Sequence, residues 1–305
     1  MLNALTIDVE DYFQVEAFAR QIDPKTWDSY PRRVEKNTDH ILALLEQRGV
    51  RATFFILGWV AERCPDLVKR IQGLGHEIGC HSYSHQAIYN GTYEDFERDL
   101  RRAKAVIENI TGRALKSYRA PSFSITSRTL WALGVLAEEG FENDSSIFPI
   151  AHDLYGIPDA PRFPYIKVLD SEHVIKEFPP STLRFCGKNF PIGGGGYLRL
   201  LPFGWTASAI HRLNEVEKQP VMVYIHPWEI DPDQPRIAAT WRSRFRHYQN
   251  LASTEKKLLK LLENFTFSTM EEVMAGYELR NYPEVDHNAP RRIAQSAPKL
   301  DLENS

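Results

Sequence analysis

The sequence predicts an α/β fold built on a parallel sheet, open or closed into a barrel. Short apolar runs alternate with stretches of helical period from residue 2 to residue 144, the pattern of repeated strand–helix units. Polar side chains able to do chemistry gather just past those apolar runs, where parallel sheets build their sites. With 305 residues, 43% hydrophobic and 25% charged, the chain can bury a large core.

The elements follow in order. "LNALTIDV", residues 2–9, is a buried strand that ends in the acidic burst D-V-E-D. A polar region with Pro24 and Pro31 leads to a helix, in which Val34, Ile41, Leu42, Leu44 and Leu45 form one stripe and Gly49 closes it. "RATFFILG" supplies a strand at 52–57, and "PDLVKRIQGLG" a helix stopped at Gly73 and Gly75. "HEIGCHS" is a third strand, emptying into "HSYSH". "TYEDFERDLRRAKAVIENITG" is a long amphipathic helix with a capping signal at Thr92. "LKSYRAPSF" reads as strand then loop, and "SRTLWALGVLAEEGFEND" as helix then strand. Residues 150–205 break the rhythm with Pro, Gly and aromatics, which suggests a loop-rich insertion facing substrate. Its run Gly193 to Gly196 lacks the Lys-Ser/Thr of a phosphate loop and suits close backbone approach instead. "QPVMVYIHPWEID" holds a strand at 221–225 that ends at His226. A helix in "STEKKLLKLLENF" and a strand and helix start in "TFSTMEEVMAG" complete a single domain over 1–280. Residues 281–305, polar and Pro-rich, are expected to be a disordered tail.

Composition excludes several functions. Net charge is -3 and the pI about 6.4, so no basic field invites nucleic acid. The three dispersed cysteines, Cys64, Cys80 and Cys186, form neither a disulfide framework nor a zinc knuckle. The start "MLNALTIDVEDYF" lacks a basic n-region and a long apolar run. No stretch approaches the roughly 20 apolar residues of a membrane span. A cytoplasmic location is expected.

Past the predicted strand ends stand Asp8, Glu10 and Asp11; His81 and His85; Tyr118, Arg119, Pro121 and Phe123; Asp144; and His226. Alone, a His-x-x-x-His pair is a weak signal. Its spacing of about one helical turn lets both imidazoles lean to one point, but equally suits a solvated helix face. Five strand ends delivering acids, imidazoles and a guanidinium raise it to a metal site. Two imidazoles and a carboxylate leave open positions on a catalytic metal. A second carboxylate could take a proton from water, and a histidine from the opposite side could protonate a leaving amine. Arg119 near a carboxylate would hold it ionised and oriented.

In chain order, "TIDVED", "ATFF", "HSYSH", "RAPSF" and "YIHPWE" resemble the motifs of the polysaccharide deacetylase family, the NodB-homology or carbohydrate esterase group, over residues 5 to 229. "DVEDYFQVEAF", "NDSSIFP", "GGGGYLRLLP" and "IHPWEID" look closest to its exosortase (PEP-CTERM)-associated exopolysaccharide subgroup. The resemblance implies a distorted (β/α)7 barrel. It implies removal of N-acetyl groups from amino sugars with one divalent metal, zinc first, with cobalt, nickel or manganese as alternatives. His81 and His85 would be ligands, Asp8 the base, Arg119 its orienter and His226 the acid. Glu10 would be the third ligand if it shares a strand face with Asp8, and Asp11 if the strand ends at Val9. Tyr118, Pro121, Phe123 and Trp228 would shape the substrate groove, with packing under the site the alternative for Trp228. The family's fourth motif is not legible in "NDSSIFP"; Asp144 would support His226 or line the pocket, or else cap its turn with Ser145 and Ser146. Two rivals stand beside this reading: a hydrolase of other non-peptide C–N bonds, ureide or formamide, and a catalytically dead saccharide-binding homologue.

Overall fold

A computed structural model describes residues 1–282. β1 (Leu2–Val9) is followed by α1 (Val34–Glu46), β2 (Thr53–Ile56), α2 (Gly58–Arg63), α3 (Pro65–Gly73), β3 (Glu77–Cys80), α4 (Tyr93–Thr111), β4 (Ser117–Tyr118), α5 (Ala132–Glu138) and β5 (Asn143–Asp144). Next come β6 (Tyr165–Val168), β7 (Val174–Glu177), β8 (Thr182–Phe185), β9 (Lys188–Pro191), α6 (Gly195–Leu200) and α7 (Phe203–His211). β10 (Met222–Ile225), α8 (Trp241–Tyr248), α9 (Leu251–Asn264), β11 (Thr266–Ser268), α10 (Met270–Ala275) and β12 (Arg280–Tyr282) complete the described chain.

The main sheet runs β10-β1-β2-β3-β4-β5-β7-β6-β12, and β11 also pairs with β1. Every pairing from β10 to β7 is parallel, which makes seven parallel strands in sequence around the sheet. This is the NodB-type barrel, incomplete because no ladder joins β7 to β10 among the described residues. The gap is crossed instead by the Met222 amide, which donates to Ser181 Oγ at 2.8 Å. β1 is apolar in five of its eight positions and buried from Asn3 to Val9, as suits a strand covered on both faces.

Local chemistry accounts for the helices. Thr92 Oγ1 accepts from the Asp95 amide and the Asp95 carboxylate accepts from the Thr92 amide, so α4 starts on a reciprocal capping box. Residues 150–205 are more regular than their composition suggests. β7 supplies the seventh parallel strand, β6 returns antiparallel to it, and β8 and β9 form a separate hairpin. Each strand is only four residues long, too short to show alternation against the surrounding Pro and Gly. Gly194 lies against β10: a Cβ there would stand 2.1 Å from the Tyr224 ring. The glycine run thus provides close backbone approach to a neighbouring strand. Asn281 and Tyr282, placed by sequence in a tail, pair with β6; residues 283–305 of that expectation lie outside the described residues.

Candidate metal centre

Glu10, His81 and His85 are buried, and each presents a ligand atom within 4.8 Å of the others. Glu10 follows the end of β1, and both histidines follow β3, the neighbour of β2. Parallel strands therefore bring them to the same end of the barrel.

The loop carrying the histidines is not a helix, which corrects the one-turn reading of "HSYSH". Ser82 (φ 62°) and His85 (φ 52°) both sit in the left-handed region, a costly conformation that persists only where its surroundings impose it. Those surroundings are identifiable. The Asp99 carboxylate, on α4, accepts from the amides of Tyr83 (2.7 Å) and Ser84 (3.1 Å) and from the Ser84 hydroxyl. The amides of Gly58 and Trp59, at the start of α2, donate to the carbonyls of Ser82 and Tyr83. Gly58 is required by space, since a Cβ there would meet the Tyr83 ring at 2.8 Å and Ala103 Cα at 2.9 Å. Asp99→Asn, which turns one acceptor of this clamp into a donor, is expected to weaken zinc affinity about tenfold, as loss of an outer-shell partner does. Competition against a chromophoric chelator measures it, and an unchanged affinity removes Asp99 from the site.

Each ligand atom is prepared. His81 Nδ1–H donates to the Arg119 carbonyl at 2.8 Å, which leaves the Nε2 lone pair free. Burial lowers the His81 pKa to about 4, so the ring is neutral. Glu10 Oε2 meets no donor in good line, although His85 Nε2 is 2.6 Å away. Burial opposes ionisation of Glu10, but the charge of His85, with that of His226, outweighs it and holds its pKa below the usual carboxylate range. Burial likewise works against a charged His85, and Glu10 overrides it, giving a net raised pKa. Two imidazoles and an ionised carboxylate with an unsatisfied, buried oxygen suit a divalent metal such as zinc.

Asp11, the competitor for third ligand, is occupied elsewhere. Its carboxylate accepts from the amides of Tyr12 (2.9 Å), Arg33 (2.7 Å) and Val34 (2.9 Å), capping α1. Burial raises its pKa to about 6 against those bonds. Although β1 ends at Val9, the next residue still joins the histidines, because the Glu10 amide bonds back to the Asp8 carbonyl (3.0 Å).

Asp8 and His226 flank the triad. Arg119, fully buried, donates from Nη1 to Asp8 Oδ1 (2.7 Å) and Thr6 Oγ1 (2.7 Å), and from Nη2 to Ser145 Oγ (2.8 Å). It thereby ties β1 to the end of β5. Asp8 Oδ2 and Glu10 Oε1 each lie 3.7 Å from His226 Nε2. Behind His226, Glu229 Oε2 stands 3.0 Å from Nδ1, and Arg199 Nε donates to Glu229 Oε1 at 2.7 Å. Burial works against a charged His226, but the hydrogen bond and charge of Glu229, with Glu10 and Asp8, raise its pKa to about 9.

The carboxylate supporting His226 is therefore Glu229, not Asp144. Asp144 is buried on β5, accepts from Ser146 Oγ and lies opposite Glu177 of β7. Burial and the Asp144 charge raise the Glu177 pKa well above the ordinary value. A group whose folded pKa is raised stabilises the fold below its unfolded pKa and loses that contribution as pH rises through the folded one. Wild-type stability should thus fall from pH 5 to pH 8 relative to Glu177→Gln, which has no proton to lose there. Denaturant midpoints at the two pH values check this, and parallel curves would refute it.

Tyr118 differs from its expected substrate role, and Trp228 takes the packing alternative. Tyr118 is wholly buried, its hydroxyl 2.7 Å from Ser82 Oγ, so it braces the histidine loop. Trp228 Nε1 donates to Glu10 Oε1 at 3.1 Å, and the ring stacks between His226 and His247. Pro121 is buried, and Phe123 joins an aromatic wall with Phe148, Tyr155 and Tyr224. Asp99 and Arg199 were missed: nothing in their helical surroundings marks them. Glu229 had a signal, a carboxylate three residues past His226 across a proline, the spacing of a cap.

Comparisons with known proteins support the fold. Residues 25–138 match the family model described as polysaccharide deacetylase, and residues 145–275 match a domain of unknown function (DUF3473). A peptidoglycan-N-acetylglucosamine deacetylase of Bacillus cereus is 38% identical over 96 residues, 31% of this chain and 35% of that protein. A chitin deacetylase of Colletotrichum lindemuthianum is 34% identical over 104 residues, 32% of this chain and 42% of that protein. The matches thus span well under half the length of these curated relatives. A solved structure from Mycobacterium smegmatis, provisionally assigned as a polysaccharide deacetylase, superposes with a TM-score of 0.59 at 19% identity, covering 92% of this chain and 93% of that one; it shows the shared fold. The ordered motifs and the match over residues 25–138 make this part of the chain similar to the polysaccharide deacetylase family.

Proposed function

We propose that the protein is a metal-dependent hydrolase that removes N-acetyl groups from amino sugars of an exopolysaccharide or its precursor. The observation that carries this reading is the pairing of Asp8 and His226 across the ligand triad, an acceptor and a protonated donor 3.7 Å apart. Glu10, His81 and His85 would hold the cation, zinc by its preference for such donors, with cobalt, nickel and manganese as alternatives. When bound there, a divalent metal supplies a Lewis acid that polarises the acetamide carbonyl and acidifies water.

The chain's own groups supply the proton transfers. Asp8 Oδ1 is held by Arg119, so Oδ2 is the oxygen that accepts the proton of the attacking water. The C–N bond then breaks as His226 Nε2 delivers its proton to the sugar nitrogen, leaving acetate and a free amine. Glu229 accepts a hydrogen bond at Nδ1 and compensates the imidazolium before transfer. Trp228 fixes Glu10 and covers one face of the His226 ring, which preserves the dry, oriented setting acid–base catalysis requires.

A cytoplasmic location belongs to the same proposal, with a lipid- or nucleotide-linked saccharide as the precursor. Three free cysteines, two of them buried, suit a reducing compartment. The deciding experiment is acetate release from N-acetylglucosamine oligomers by the zinc-loaded protein, beside ammonia and formate release from small amides. Acetate alone supports the reading; ammonia or formate without acetate replaces it with other C–N hydrolysis.

A further inference from the structure

Between Arg236 and Arg246 the sequence "RIAATWRSRFR" carries four arginines and no acid, in a chain whose net charge is -3. Most other arginines of the described chain pair with a carboxylate, among them Arg33, Arg63, Arg70 and Arg162. Arg236, Arg242, Arg244 and Arg246 are all exposed, and among the described residues none makes an ion pair. On α8, Arg242 and Arg246 stand four apart, a like-charge spacing that destabilises a helix by a few tenths of a kcal/mol. Trp241 and Phe245, also four apart, form an exposed aromatic row beside them, 73% and 51% accessible. On the other flank Arg244 and Tyr248, with Arg236 over the Tyr248 ring at 4.2 Å, complete a shallow pocket of about 340 Å³.

This face adjoins the site. His247, on the inner side of α8, stacks on Trp228 at 4.1 Å, and Trp228 stacks on His226. The charge of Arg246 also acts on His152, Tyr155 and Tyr197, and Tyr155 belongs to the aromatic wall around Phe123. Flat rings and guanidinium groups alternate outward from the cleft. Sugar rings stack on aromatic faces, and guanidinium forks match carboxylates. A compact phosphate would instead need converging donors at one point, and an inserting membrane helix a broader apolar face.

We propose that the outer face of α8 is a subsite for a uronate-bearing stretch of the saccharide, so that the preferred substrate is an anionic oligosaccharide rather than a neutral one. The inference rests on the deacetylase reading for its substrate class. The test compares acetate release by the zinc-loaded full chain from a hexasaccharide alternating glucuronate with N-acetylglucosamine and from neutral chitohexaose. We expect kcat/KM to favour the uronate substrate about tenfold, mostly through KM, since a few exposed charge contacts each contribute a factor of about two to three. The preference should collapse toward unity in Arg236→Gln/Arg242→Gln/Arg244→Gln/Arg246→Gln, and in about 0.5 M salt, where screening reaches within a few ångströms. Should the quadruple variant misfold, the Arg236/Arg244 and Arg242/Arg246 double variants take its place. Equal kcat/KM values, a preference kept by the variants, or charge-dependent binding to phosphatidylserine vesicles without saccharide preference would overturn the proposal. If neither saccharide yields acetate, the deacetylase reading fails by itself. Calorimetric binding of the same two hexasaccharides then decides the subsite: uronate binding lost in the variants supports it, and equal binding rejects it.

Discussion

Asp8→Asn should lower kcat for acetate release by about a thousandfold, within the range of roughly 10² to 10⁴ attributed to a positioned general base. The reason is geometric. One oxygen of Asp8 is fixed by Arg119 at 2.7 Å, and the other faces His226 Nε2 at 3.7 Å. An asparagine can keep the first contact through its amide oxygen, but it cannot accept a water proton at the second position. The substitution also strips a buried guanidinium of its counter-charge, which costs about 3 kcal/mol where one partner of such a pair is removed. Arg119 keeps its bonds to Thr6 and Ser145, so we expect a lower melting temperature with the fold retained. Zinc content should stay near one per chain, because Asp8 is outside the ligand triad. A variant that folds, binds zinc and retains more than about a tenth of wild-type kcat would remove Asp8 from the role of base.

Stripping the metal with a chelator should abolish activity, and added zinc should restore it in the wild type but not in His81→Ala. Several kcal/mol of transition-state stabilisation would be lost, about a thousandfold or more in rate. Thermal melts give an independent readout. A ligand that binds only the folded state at a hundred times its Kd stabilises by about 2.7 kcal/mol, so zinc should raise the wild-type melting temperature by several degrees. In His81→Ala one imidazole is missing and a cavity replaces it, and the zinc-dependent shift should vanish. Full activity after metal loss would exclude the proposed mechanism outright.

How much of this was legible in the sequence depends on what each feature rests on. The parallel strands were, because β1, β2 and β10 are apolar runs bounded by polar residues, and burial on both faces leaves no other composition open to them. The convergence of Asp8, Glu10, His81, His85, Arg119 and His226 was legible too, since parallel strands deliver their C-terminal ends to one rim. The conformation between the histidines was not. It depends on Asp99 and on the first amides of α2, partners brought near by packing of α2 on α4 rather than by local spacing. The choice between Asp144 and Glu229 was hidden for a similar reason: Asp144 has Glu177 opposite it only because β7, unforeseen inside an irregular segment, pairs with β5. The aromatic row of α8, Trp241 and Phe245, faces outward and the helix is held chiefly through His247, so no buried apolar face announced it.

β1 has β2 on one side and β10 on the other, and β11 pairs with its first residues, Leu2 to Ala4. The first matched segment ends at residue 138, while β10 and His226 lie in the second. A fragment cut between the two would keep Glu10, His81 and His85 but lose His226, the proposed proton donor. It would also bare the flank of its longest strand, a template onto which another polypeptide can stack. The two segments therefore share one seam: neither can be exchanged for a foreign counterpart without rebuilding the contacts along β1, and the segment of unknown function carries His226, the proposed acid.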